Sequence, residues 1–439
     1  MQDRRTTWFG HIGQMLCIGI ISVILGVLLL TLVFCIPVDT MIPHVGASVD
    51  TIIQDASEIS AGRLEHYIFE KKETYTDAIM VQNAIEKIDG RNPYEHAMWA
   101  YHLDLNDTTW TPEVSVKYLS DNGDTSVMFL HQYSRYWHGY LVYLKPLLLL
   151  FTWEQILWIG AGLQLILMLA VLAVSVWKKH PQVGLAMLVG LLFMKPLLMM
   201  VSLAMTVCWL ITLAVMLVIL LRHDWLEQKD HYPELFLMTG ILVAYFDFLT
   251  YPVVTLGFPL CAYFLIKKEG KLKENVVRMV VYSASWALGY VSMWAMKWIL
   301  ADVTLHTGTI KSAFSSILGW TEAIGGRPRF SGGLYVISLN LYEYSSWLYP
   351  ALVAALVLFD VASFVYACRK TTWKRAAVCS VPYLLVACIP FLWYIIVQHH
   401  SGLHIAFTFR IISVAALALG SIGFGLLRLG RQERAGNEQ

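Results

Sequence analysis

"QMLCIGIISVILGVLLLTLVFCIPVDTM", residues 14–41, decides the fold class. Residues 14–36 carry no charge and are long enough to cross a hydrocarbon core of roughly 30 Å. Arg4 and Arg5 precede the run, which exceeds a secretory h-region and has no small-residue cleavage site behind it. Phe34 before Cys35 argues against a lipoprotein-type site, so the segment reads as a retained membrane anchor.

Further apolar runs follow at 153–176, 183–201, 203–221, 234–250, 252–266, 279–300, 347–367, 376–397 and 407–427, which gives ten spans in all. The whole chain is 57% hydrophobic and 14% charged, with a mean hydropathy of +0.57, far from a soluble globular composition. Lys and Arg cluster in 177–182, 222–233, 267–278 and 368–375, which places those connections and both termini in the cytoplasm. A net charge of +1 argues against nucleic acid as a partner. The seven cysteines fall in or beside apolar spans without metal-ligand spacing and read as small buried residues.

The expected architecture is an all-α polytopic membrane protein of about ten transmembrane helices. Residues 1–36 form a cytoplasmic tail and first span, 37–152 an extracytoplasmic loop, and 153–439 a bundle of about nine helices. Within the loop, "TYTDAIMVQNAIEKIDGRNP" (74–93) predicts a membrane-parallel amphipathic helix, with Thr76 as N-cap and Gly90 as C-cap. A second outer connection, 301–346, contains "IGGRPRFSGG" and reads as a mobile loop.

A charge inside hydrocarbon requires a reason. Lys145, Lys195, Lys297 and Arg410 all fall toward the extracytoplasmic ends of apolar segments. Snorkelling explains any one of them, whereas four on one side point to a shared anionic ligand. In "YSRYWHGYLVYLKP" (133–146), a helix over 134–145 capped by Ser134 would project Arg135, His138 and Lys145 within about 80° of one another. Tyr136, Tyr140 and Tyr143 would take another face. In "QHHSGLHIAFTFR" (398–410), His400, His404 and Thr408 form an i, i+4, i+8 stripe, with Arg410 rotated away. Zinc is disfavoured there because no Glu follows the first His as in a metalloprotease helix, leaving phosphate or sugar contact against a structural His pair. His96 and His102 in the outer loop make a weaker pair.

Three carboxylates are candidates for acid–base work. Asp39 lies just past the first span, and Asp77 sits in the first turn of the proposed loop helix, where the helix dipole alone explains a charge. A general base must stay ionised and reach the acceptor proton, and spacing does not choose between them. Asp247, in "AYFDFLTYP", would either pair with a basic residue or touch substrate. Asp360, deeper toward the cytoplasm, reads as structural.

The first span, the long acidic outer loop and the many later spans together resemble the GT-C superfamily of integral-membrane glycosyltransferases. "YTDAIM", "RYWHGYL", "FDFLTYP" and "HIAFTFR" look like segments of multi-span proteins from bacterial surface-polysaccharide loci. The resemblance implies a polyprenyl-phosphate-linked sugar donor, a glycan or lipid acceptor, and a site on the extracytoplasmic face of a bacterial inner membrane. It places Asp77 or Asp39 as the base. The basic set Arg135, His138, Lys145, His400, His404 and Arg410 would bind the donor phosphate, with Lys195, Asp247 and Lys297 as secondary contacts. No DxD motif occurs, so no metal ligand set is assigned and a divalent metal is left open. A flippase or transporter of lipid-linked saccharide is a rival reading, although such proteins place charge at the midplane. A polysaccharide polymerase, an intramembrane acyltransferase and a non-enzymatic scaffold are others.

Overall fold

In hydrocarbon an apolar run becomes a helix because only intrahelical bonds satisfy its backbone groups. The computed structural model describes residues 8–59, 73–105, 111–122, 125, 128–267 and 270–437, so Arg4 and Arg5 lie outside the described residues. Helix α1 (Trp8–Val33) passes through a single turn, Val38–Thr40, into the 37–152 segment. That segment contains α2 (Ile42–Ile59), α3 (Tyr75–Ile85), α4 (Pro93–Trp99), β1 (Tyr101–Leu105), α5 (Pro112–Asn122), β2 (Met128–Gln132) and the short α6 (Leu141–Leu148). Next come α7 (Trp153–Trp177), α8 (Pro181–Leu192), α9 (Pro196–Met199), α10 (Leu203–Lys229), α11 (Tyr232–Phe246), α12 (Val254–Ile266) and α13 (Leu272–Leu305). The chain ends with α14 (Thr309–Thr321), α15 (Arg329–Tyr342), α16 (Leu348–Lys370), α17 (Trp373–Ile396), α18 (Gln398–Leu403), α19 (Ile405–Thr408) and α20 (Ile412–Asn437).

Six helices are long and apolar enough to cross a membrane: α1, α7, α10, α16, α17 and the stretch Ile405–Glu433 containing α19 and α20. The helices α8, α11 and α12 are apolar but shorter. The expected ten full spans are therefore not reproduced among the described residues. The run 183–201 breaks because Lys195 adopts φ 48° before Pro196, which disfavours a helical conformation in the residue preceding it. The runs 234–250 and 252–266 are separated by a non-helical link around Asp247 and Pro252, and 279–300 lies within the longer α13.

The Ile405–Glu433 stretch is mostly buried, with α20 packed against α8, α12, α16 and α17, whereas α1 is mostly exposed. α11 and α13 approach backbone to backbone. A Cβ added at Gly240 would lie 2.0 Å from the Trp286 carbonyl oxygen, and one at Gly289 would lie 2.1 Å from that of Leu237.

The 37–152 segment differs from expectation in three ways. First, α3 starts after Thr74 rather than Thr76 and ends at Ile85, while Gly90 (φ 78°) belongs to the turn before α4. Second, residues 76–85 are all buried, so α3 is an interior helix between α5, α6 and α10, not a surface-lying one. Third, β1 and β2 form an antiparallel pair with Leu103 opposite Leu130, where only helices were expected. The 301–346 connection is also helical, as α14 and α15. Its glycines Gly332 and Gly333 allow close approach to Gln398 and Ile395 rather than loop freedom.

Candidate functional site

Three of the buried charges meet the ends of other helices. Lys145, 1% exposed, donates to the Ala84 carbonyl at 2.7 Å in the last turn of α3, and its ammonium lies 4.9 Å from the Phe34 ring centre. Lys297, fully buried, donates to the Ala97 carbonyl at 2.5 Å in the last turn of α4 and stands 5.5 Å from the Trp137 ring. Helix C-terminal carbonyls carry partial negative charge, so a cation satisfies both the acceptor and the dipole. Asp77 does the converse at an N-terminus. Its carboxylate accepts from Leu203 N (2.8 Å), Ala204 N (2.8 Å) and Ser202 Oγ (3.0 Å), capping α10. Burial pushes the Asp77 acid up to about 7, against the pull of those donors.

The other candidates are dispersed. Asp39 is exposed, 3.9 Å from Lys87. Asp247 accepts from Thr250 N (2.9 Å) and Thr250 Oγ1 (2.5 Å), closing the turn after α11. Its partner is thus a threonine, not the basic residue that was one alternative. Lys195 pairs with Glu343 at 3.2 Å and lies 4.9 Å from the Phe409 ring. Arg410 donates to Ala406 O one turn back. Thr408 leaves the His stripe to bond Asn340 Oδ1 at 2.8 Å.

Residues 133–140 do not form the expected helix, so Arg135, His138 and Lys145 share no stripe. Tertiary hydrogen bonds hold this segment open: Trp137 Nε1 donates to Met293 O (2.7 Å), Trp298 Nε1 to Arg135 O (2.8 Å) and Gly139 N to Tyr245 O (2.9 Å). A Cβ at Gly139 would sit 2.5 Å from that same Tyr245 oxygen. His138 takes φ 56°, which interrupts a helix, and its Nε2 and Nδ1 engage Tyr133 O (3.1 Å) and Tyr140 OH (2.9 Å). Burial lowers its pKa to about 3, leaving it neutral.

What this segment builds is an aromatic wall. Tyr136 stacks on Phe248 at 5.1 Å, and Tyr133 packs at 5.3 Å from Tyr136 and 5.5 Å from Phe248. The wall faces a cavity of about 410 Å³ at the junction of the 37–152 segment and the bundle. His400 and His404, whose rings lie 4.5 Å apart, also line it. Glu73, Tyr75 and Thr76 at the start of α3, and His102 of β1, complete its polar lining.

The cavity's groups suit proton transfer. Burial raises the Glu73 pKa, the Thr76 N–H it accepts at 2.7 Å pulls it back, and the Arg410 guanidinium lowers it slightly. A carboxylate so tuned stays basic nearer neutral pH. Burial lowers His400 to about 3 and lowers His404 as well, so both are neutral imidazoles, each offering one N–H. His400 is 5% exposed, and its Nδ1 has no partner among the described residues. Arg135 adjoins the wall, 5.8 Å from the Tyr133 ring centre. It donates to Ser312 Oγ at 3.1 Å, and its Nε has no partner among the described residues.

Of the predicted site residues, only His400 and His404 line this cavity. His138 lies just behind its wall, 5.5 Å from the Phe248 ring. Glu73 was missed because an acid just before a helix start resembles a cap, and His102 was weighed and set aside. No protein-family model, curated protein or solved structure matches the chain.

Proposed function

We propose that the protein is a membrane glycosyltransferase that moves a sugar from a polyprenyl-phosphate donor to a cell-surface glycan or lipid acceptor, with chemistry in the Glu73–His400–His404 cavity. One observation carries the reading. A cavity with one carboxylate, three imidazoles and a stacked aromatic wall lies where a polar segment meets membrane-spanning helices. Aromatic faces suit the C–H faces of a sugar ring, and the position lets a lipid tail remain among apolar helices.

In the proposed step, the acceptor hydroxyl oxygen attacks the anomeric carbon and its proton passes to the Glu73 carboxylate. The anomeric carbon–phosphate oxygen bond breaks, and its electron pair leaves with polyprenyl phosphate. Charge growing on that phosphate meets the imidazole N–H groups and the Arg135 guanidinium, donors fixed before the reaction begins. Asp77 acts as a positioning residue here, because it ties α3, which carries Tyr75 and Thr76, to α10.

The test is release of polyprenyl phosphate by purified protein in nanodiscs, given a panel of polyprenyl-phosphate sugars. Turnover is expected with at least one donor, and Glu73→Gln is expected to reduce it by about 10²-fold or more. No turnover across the panel, or full turnover by Glu73→Gln, overturns the proposal.

A further inference from the structure

At the far ends of α1 and α11 from this cavity, three side chains converge that the proposed chemistry does not use. His11 Nδ1 lies 2.6 Å from Glu234 Oε1, and His231 Nδ1 lies 3.7 Å from Glu234 Oε2. One ligand atom from each of the three residues falls within 4.8 Å of the others, the only such His/Cys/Asp/Glu group among the described residues. Glu234 is 8% exposed, and its Oε2 has no hydrogen-bond partner among the described residues. Two apolar helices thus bring two imidazoles and a buried carboxylate together.

We infer that His11, His231 and Glu234 form a binding site for a divalent zinc-class cation that clasps the start of α1 to the start of α11. The donor set is a borderline one, two imidazole nitrogens and a carboxylate oxygen, which matches zinc better than magnesium or calcium. Zinc holds such atoms at about 2.0–2.2 Å, so small side-chain rotations would bring the three onto one ion. Three protein ligands leave a coordination position for water. With Nδ1 of His11 toward the ion, its Nε2 faces Asp230 Oδ2 at 3.9 Å, where a carboxylate can orient the ring. His11 and His231 retain 14% and 23% side-chain exposure, which leaves the ion a route in from solvent. Asp230 sits at φ 54°, ending α10, and His231 begins α11, so the clasp would also pin the α10–α11 turn.

The test uses full-length protein in detergent, freed of any affinity tag and metal, titrated with Zn(II) in competition with a chromophoric chelator. One zinc per chain, a raised thermal midpoint, and at least about tenfold weaker binding in both His231→Asn and Glu234→Gln are expected. His400→Ala/His404→Ala should bind as the parent does. Should Glu234→Gln fail to fold, His231→Asn and His11→Gln carry the comparison. Absence of saturable binding, or stoichiometric binding retained in His11→Gln/His231→Asn, overturns the site. So does loss of binding in the His400/His404 variant alone. Sugar transfer enters none of these readouts.

Discussion

Replacing Asp77 with alanine separates a positioning carboxylate from a catalytic one. The change strips the acceptor from two backbone N–H groups, Leu203 and Ala204, at the buried start of α10, while Ser202 Oγ keeps its own bond to Met205 N. A buried donor left unsatisfied costs about 1–3 kcal/mol, so two cost about 2–6 kcal/mol. Removing a carboxyl whose pKa burial has raised from 3.8 to about 7 offsets that cost by up to about 4 kcal/mol at neutral pH, so the loss is read near pH 4, where the offset vanishes. The assay is thermal unfolding of the detergent-solubilised protein, with sugar transfer measured at low temperature where the variant stays folded. The expected result is a clearly lower midpoint with transfer within about tenfold of the parent. Unchanged stability with transfer reduced 10²-fold or more would refute the positioning role and restore Asp77 as the base. The pH response adds a sign. The folded-state pKa exceeds the ordinary value of 3.8, so the folded protein binds more protons between about 4 and 7. Asp77's contribution to stability is therefore full below pH 4 and is lost as pH rises to about 7. Asp77→Asn should flatten that slope.

Lys145 has the opposite slope, because burial lowers its ammonium from 10.5 to about 8. Stability should rise as pH climbs from about 8 to 10.5, and Lys145→Met should abolish that rise in thermal unfolding scans. Gly289→Leu should prevent folding or lower the thermal midpoint sharply, since even a Cβ at that position would lie 2.1 Å from the Leu237 carbonyl oxygen; normal yield and midpoint would show that α11 and α13 can separate. Asp39→Ala, removing an exposed carboxylate 3.9 Å from Lys87, should change stability by less than about 0.5 kcal/mol and leave transfer intact; lost transfer would return Asp39 to the site.

Hydropathy was enough to read a multi-pass helical protein, because an uncharged run such as 14–36 has few alternatives to a helix in hydrocarbon. Its count of ten is not reproduced by helices of full spanning length where two runs abut. The Lys195–Pro196 break carried its own signal in the proline, but the link at Asp247–Pro252 is set by a side-chain turn. The β1–β2 pair was hidden because each strand has only five residues, too few for alternation to stand out. The site was less legible still. Local spacing made 134–145 a plausible helix, yet Trp137, Gly139 and Trp298 bond that segment to helices more than a hundred residues away. His400 and His404 were found because i, i+4 spacing alone brings rings together. Glu73 was not, since only the folded chain brings it to the same cavity.

Five charged side chains, three of them buried, share one role. Lys145 and Lys297 close the C-terminal ends of α3 and α4, Asp77 opens α10, and Asp302 accepts from Thr309 N and Ile310 N at the start of α14. Arg428 does the same for α12, donating to the carbonyls of Leu265 and Lys267. The ends of α3, α4 and α12 and the start of α10 are buried, where water cannot reach unpaired N–H or C=O groups, so a side chain from another element must satisfy them. The many short helices of the 37–152 segment multiply such ends, which gives Lys145 and Lys297 a structural role there. It also decides what the cavity can use. With Lys145 and Lys297 engaged elsewhere, an incoming phosphate would meet neutral imidazoles and the Arg135 guanidinium. On the proposed reading, phosphate recognition would rest on fixed hydrogen-bond donors more than on accumulated positive charge.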